Sequence, residues 1–391
     1  MSIDVYSKTR TCFHNSSVAV TSRNSIIDVA KGIGIFFVVL GHNWLSTHEK
    51  SELSRVIFSF HMPLFFFLAG LYLRTSDDFL SFAKTRAGSL LKPYFVVLTI
   101  LGIVNIIRSM LHSEADANQL DYFIGMFYGT GNTIAWIALW FLPHLFISLI
   151  ASLMILKAIE SRTGNKGWMM LAALALLAIG IAFIDAFWQP ALADVRFVGP
   201  GRFLGLPWSA DLVPITSSFI IFGYLLAKPS KSMGFSPVGL FISLVVFVLL
   251  HYYFDDSMDL NERVYGNPIV STIQALAGIY ITFSIASLLQ NFPSFKKPLA
   301  HLGADTLFVL IFHDPLQTIA FDALSQISSH VYFNSIGSLV WSIAVSLLLW
   351  EGAKRQKLMR RLLLPNKSQF SSSRPKSNEI ISALSDQTDR T

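Results

Sequence analysis

Cysteine is nearly absent: Cys12 is the single one in 391 residues. An internal disulfide, a thiolate metal cluster and a resolving thiol are thereby excluded. Charge is scarce as well, since Asp, Glu, Lys and Arg fill 14% of positions where a soluble globular chain carries about a quarter. The sequence has no Walker or dinucleotide-binding glycine fingerprint, no His/Asp/Glu grouping with convincing metal-ligand spacing, and no repeat at a fixed period. What is abundant is apolar: 53% of residues are hydrophobic, with 33 Phe among them. So large an excess cannot be covered in a single water-soluble domain, and the composition is that of an all-α polytopic membrane protein.

Crossing the hydrocarbon core takes about 20 mostly apolar residues in helical form. About ten such runs occur, near 26–45, 56–73, 93–112, 138–157, 168–188, 210–227, 236–252, 268–289, 303–321 and 332–350. The stretch 121–137 is apolar but interrupted by glycine, and reads as a re-entrant or interfacial segment, or as an eleventh crossing. About 25 polar residues, including Lys8, Arg10 and Arg23, precede the first run, which a secretory leader would not have. The first run is therefore expected to be a retained helix. With both termini placed in the cytoplasm, 23 of the 30 basic residues fall on the inner side and six on the outer side. The net charge of +6 is then topological, and no nucleic-acid partner is needed to explain it. The outer loop before the eighth span is instead acidic, with Asp255, Asp256, Asp259 and Glu262. Three regions follow: a cytoplasmic tail over 1–25, a transmembrane domain over 26–350, and a cytoplasmic tail over 351–391 that is basic and then disordered.

Ionisable side chains at membrane depth are costly and mark candidate functional positions. The first span holds Asp28, Lys31 and His42. Lys31 and His42 are eleven residues apart, about 20° beyond three full helical turns, so they share one face at a separation of about 16 Å. Lys31 lies toward the cytoplasm and His42 toward the outer side, with Asp28 one turn before Lys31 and able to neutralise it. The second span runs back inward and places His61 at a depth similar to His42. His313 sits beside Asp314 and Pro315 on the ninth span. Arg202, Trp208 and Asp211 cluster at the outer end of the sixth, where Trp is usually an interfacial anchor. His144 reads as interfacial.

Several of these segments resemble, in order, the blocks of the acyltransferase-3 family of membrane acyltransferases, in its fucose 4-O-acetylase-like branch. The Lys31 to His42 spacing is similar to that family's first-helix signature of a basic residue, ten intervening residues and His. FHMPLFFFLAG at 60–70 is close to its second helix. LWFLPHLF at 139–146, LPWSADLVPITSSFIIFGYLL at 206–226, the DLNERVYGNP run at 259–268 and HLGADTLFVLIFH at 301–313 look like later blocks. One departure concerns the loop after the second helix, where the family often has an Arg-x-x-Arg pair. Here the loop reads Lys84-Thr85-Arg86 and then Lys92-Pro93-Tyr94. Another is the tail, which is short and polar where some members carry an esterase-like domain.

The resemblance implies an O-acyltransferase of a bacterial inner membrane, with acyl-CoA (acetyl-CoA above all) as co-substrate and no bound cofactor or metal. The acceptor implied is a hydroxyl of a glycan or lipid-linked oligosaccharide, with the lipid bilayer and a polysaccharide-biosynthesis assembly as surroundings. Lys84, Arg86 and Lys92 are expected on the donor's phosphates. His61, Arg202, Trp208, Asp211 and His313 are expected on the acceptor side or in support. His42, with Lys31 and Asp28, forms the expected catalytic group, since an imidazole can take a proton from a hydroxyl at neutral pH or carry the acyl group itself. Without the resemblance, a proton-coupled carrier or flippase using the same His and Asp residues stands nearly level with an enzyme. A structural membrane component needs no chemistry at all.

Overall fold

The computed structural model describes residues 25–48, 51–112, 119–188, 205–227, 235–254, 256 and 258–364. Arg202, Asp255 and the tail expected to be disordered lie outside them.

The chain starts with α1 (Ser25–Gly41), a one-turn α2 (Trp44–Thr47), and α3 (Glu52–Phe58) followed by α4 (His61–Gly70). α5 (Phe79–Arg86) leads through a π-turn at Ala87–Leu91 into α6 (Lys92–His112), then α7 (Gln119–Tyr128). α8 (Phe141–Arg162) and α9 (Lys166–Ala182) come next, and a 3-10 stretch at Pro207–Leu212 opens α10 (Val213–Leu225). α11 (Pro237–Tyr253) precedes a hairpin of β1 (Met258–Asp259) and β2 (Val264–Tyr265), paired antiparallel. The last helices are α12 (Pro268–Leu289), α13 (Pro293–Ala304), α14 (Thr306–Ser325), α15 (Val331–Arg355) and the short α16 (Lys357–Leu363). Local chemistry starts several of them. Asn165 caps α9, and Ser236-Pro237 and Asn267-Pro268 each place a capping side chain before a proline that has no amide hydrogen to leave unpaired.

Among the described residues, seven helical runs are long and apolar enough to cross a membrane, and Lys166–Ala182 and Pro237–Tyr253 are apolar but shorter. Every one of the ten runs read from the sequence falls on a helix. The polarity of the bundle is reversed relative to a soluble protein. Ile103, Val104 and Ile107 of α6, Leu171 and Leu174 of α9, and Val238, Phe241 and Val248 of α11 are exposed. On α15 the buried stripe is Asn334, Ser335, Ser338, Ser342 and Ser346, while Tyr332, Phe333, Ile336 and Val340 face outward. Apolar area of that extent is stable only against lipid, and small polar residues suit close helix contact. The protein is an all-α, multi-pass membrane protein.

Two helices form the buried centre. On α1, Ile27, Val29, Ala30 and Val39 are fully buried, and on α10 so are Ile215, Phe219, Ile220 and Ile221. Each is seated by a reciprocal glycine contact. A Cβ on Gly32 of α1 would fall on the Leu299 carbonyl of α13, and one on Gly303 of α13 would fall on the Asp28 carbonyl of α1. The same relation joins α4 and α10 through Gly70 against Ile220 and Gly223 against Phe67.

Two local readings change. Residues 290–302, taken as a plain inner loop, contain most of α13, because Pro293 at its first turn and the 293–304 pattern favour a helix that packs along α1. His144, read as interfacial, is fully buried near the start of α8. There its Nδ1 meets the Trp208 carbonyl at 3.2 Å and its Nε2 the Thr216 hydroxyl at 3.1 Å.

Candidate active site

α1 carries Lys31 near its start, and its last turn extends to His42, whose amide donates to Val38 O at 3.2 Å. The next residue holds this end in place. Asn43 is buried, and its Nδ2 reaches Gln317 Oε1 at 2.7 Å on α14 and Ser335 O at 3.0 Å on α15. Gln317 Nε2 returns a bond to Val39 O at 3.0 Å, and Asn43 Oδ1 accepts from Leu45 N at 3.1 Å to cap α2. The backbone on both sides of His42 is thus tied to two other helices.

The structure brings three of the predicted histidines together. The rings of His42 and His313 meet edge to face with centroids 5.2 Å apart. Phe58 links the third, lying 6.5 Å from the His42 ring and 4.8 Å from that of His61. His42 is half-buried, while His61 and His313 are buried. His61 Nδ1 lies 2.9 Å from Ile57 O, and His313 Nδ1 lies 2.9 Å from Val309 O and 3.0 Å from Leu310 O. A carbonyl only accepts, so Nδ1 carries the hydrogen in each, and Nε2 of the neutral ring is a lone pair. Asp314 and Asp259 are within electrostatic reach of His42.

Asp259, read as part of an acidic loop and of the DLNERVYGNP run, was not singled out as a site residue. It sits on β1 between the buried Met258 and Leu260, and its Oδ1 accepts from Asn261 N at 2.9 Å and Glu262 N at 3.2 Å. Burial raises the carboxyl pKa of Asp259, and burial together with Asp259 raises that of Glu262. The hairpin is pinned by Arg263, which is itself buried. Its Nε donates to Asp211 Oδ2 at 2.9 Å and its Nη2 to Asp211 Oδ1 at 3.2 Å, while its guanidinium lies 4.7 Å over the Trp188 ring. Asp211 also accepts from Leu206 N at 2.8 Å, so both of its oxygens are engaged within the protein. Trp208 adopts a positive φ of 56° and donates from Nε1 to Phe127 O at 2.9 Å. Arg263 lies in the DLNERVYGNP run that resembles a family block, but nothing in the sequence pointed to its pairing with Asp211.

The other end of α1 is lined by basic side chains. Lys31 is half-buried with its ammonium 4.6 Å over the Tyr72 ring, and Asp28 is buried. Lys84 is exposed on α5, and Arg86 is half-buried 5.0 Å over Phe82 and within electrostatic reach of Asp77. Lys92 donates to the carbonyls of Arg361 at 2.9 Å and Leu364, which ties α16 to the start of α6. His301, Asp305 and Glu351 also meet here, each with one ligand atom within 4.8 Å of the others. His301 Nε2 lies 3.5 Å from Asp305 Oδ2, and Glu351 is ion-paired with Lys354.

α1 therefore runs from a basic end to an imidazole cluster beside an acidic hairpin. Residues 24–351 match the acyltransferase-3 family model, an acyltransferase domain, and this range holds Asp28, Lys31, His42, His61, Asp211, Asp259, Arg263 and His313. The chain belongs to the acyltransferase-3 family. As an acyltransferase of the membrane, it has its Lys31 and His42 in the first helix of the matched domain. No curated protein and no solved structure matches it.

Proposed function

We propose that this acyltransferase moves an acyl group, acetyl in the simplest case, from acyl-CoA at the basic end to a hydroxyl at the hairpin end. His42 is the group that acts between them. The observation that carries the reading is the stripe on α1: Lys31 at the basic end and a half-buried His42 inside the imidazole cluster, within the matched acyltransferase domain. Lys31, Lys84 and Arg86 receive the phosphates of the donor, because Lys92 is engaged with the carbonyls that end α16. The acceptor is a sugar hydroxyl of an exopolysaccharide, O-antigen or similar surface glycan, in keeping with the resemblance to the fucose 4-O-acetylase-like branch. The membrane is a bacterial inner membrane with the basic end in the cytoplasm.

In the transfer, the hydroxyl proton passes to the His42 lone pair as the oxygen attacks the thioester carbonyl. The C–S bond breaks, and the proton leaves with the CoA thiolate. Removal of a positioned general base costs about 10²- to 10⁴-fold in rate. Membrane vesicles supplied with radiolabelled acetyl-CoA should label a glycan fraction with the wild type and show at least about a 100-fold lower rate with His42→Ala. Equal labelling by the two would remove His42 from the chemistry. No labelling by either would overturn the acetyl-CoA reading.

A further inference from the structure

His313 is fully buried, and its ring is oriented by the main chain, with Nδ1 donating to Val309 O at 2.9 Å and Leu310 O at 3.0 Å. Its Nε2 is buried with no hydrogen-bond partner. Folds rarely leave a buried acceptor unused, and at a site such a group points to a role. His42 is the titratable ring in contact with that of His313. The two centroids are 5.2 Å apart and the planes cross at 63°. When the N–H of one imidazole meets the lone pair of another, the ring centres lie about 5 Å apart. The separation is already that of an N–H···N pair, and rotation of the His42 ring aligns it. Site hydrogen bonds commonly tighten in this way only when substrate is bound.

We propose that His313 is the positioning residue for His42: its Nε2 accepts the His42 ring N–H and so fixes the tautomer whose other nitrogen presents its lone pair to the acceptor hydroxyl. This rests on the reading of His42 as the base. The bond to His313 persists through the transfer, so the proton taken from the hydroxyl still leaves with the thiolate and His313 takes none. Four titratable groups surround His42: His313 on α14, Asp314 beside it, Asp259 on β1 and His61 on α4. Asp259 already spends Oδ1 on two turn amides, and His61, like His313, donates from Nδ1 to a carbonyl. Only the His313 ring is in direct ring contact with His42 among these four.

The test uses the full chain in vesicles with His313→Gln and His313→Leu. Glutamine places an acceptor oxygen where Nε2 lies, whereas leucine fills the space without one. His313→Leu should lose about 100-fold in kcat with KM for acetyl-CoA within about twofold, and His313→Gln should stay within about tenfold of wild type. The leucine variant should melt no lower than wild type, because it replaces an unpaired buried nitrogen with apolar volume. A His313→Leu enzyme as active as His313→Gln would overturn the proposal, as would a larger kcat loss in Asp259→Asn or Asp314→Asn than in His313→Leu. A second readout needs no substrate: carbethoxylation of His42 by diethyl pyrocarbonate, followed by peptide mass. His42 should react severalfold more slowly in His313→Leu than in wild type, and an unchanged rate sinks the dyad. If wild-type vesicles transfer no acetyl group, the donor reading fails while the carbethoxylation rates still decide the His42–His313 pair.

Discussion

At the scale of single residues, the placement of His42 depends most on its neighbour. Asn43 bonds to helices far along the chain, Gln317 being 274 positions later. Asn43→Ala leaves the Gln317 carbonyl without its donor in a buried site, which costs roughly 1–3 kcal/mol. The expected result is a lower melting temperature in detergent and a fall in kcat like that of a displaced base; a variant with the wild-type melting curve would contradict the network. In the sequence, Asn43 after a helical run looks like an ordinary cap, and it does cap α2. Its second use, by Gln317 and Ser335, has no local signature. Asp211 shows the opposite case: its place near an outer helix end was legible, but its engagement by Arg263 depends on a hairpin 52 residues later.

At the scale of elements, the decisive contacts are made by absent side chains. α1 and α13 approach until Gly32 and Gly303 face carbonyl oxygens, so Gly303→Ala must push the helices apart. Overpacking of this kind costs about 1–3 kcal/mol, and a backbone carbonyl cannot retreat as a side chain can. Gly303→Ala should therefore lower the melting temperature and, by shifting the Asp28 and Lys31 turn, raise KM for the donor. Gly352, which has nothing near it, should accept alanine without either effect. Helix α13 itself escaped a reading by hydropathy because Lys296, Lys297 and Pro298 break its apolar run, although it packs along α1. Span-length patterns identify helices that meet lipid. A helix that packs along another without spanning the membrane needs no such length.

At the scale of the whole molecule, the reversed polarity of the bundle and the excess of basic residues in alternate connections belong to one arrangement. The proposed orientation, read from the positive-inside bias, has α13 on the cytoplasmic side and the hairpin outside. Labelling checks this in a Cys12→Ser background, with a membrane-impermeant maleimide added to intact cells. Glu262→Cys should react and Lys297→Cys should not, both positions being exposed. The reverse pattern would invert the molecule and move the donor to the hairpin end.

Composition and periodicity by themselves determined that the chain is helical, where its apolar helices run, and that Lys31 and His42 share a face. All of these follow from hydropathy and the 3.6-residue turn, which act between near neighbours. The tertiary structure alone decided which imidazoles meet, that the hairpin carries Asp259 to His42, and that Asp211 and Lys92 are engaged within the fold. Those facts depend on how helices distant in sequence cross, and the crossings are set by glycine contacts and buried polar bonds between residues that have no periodic relation.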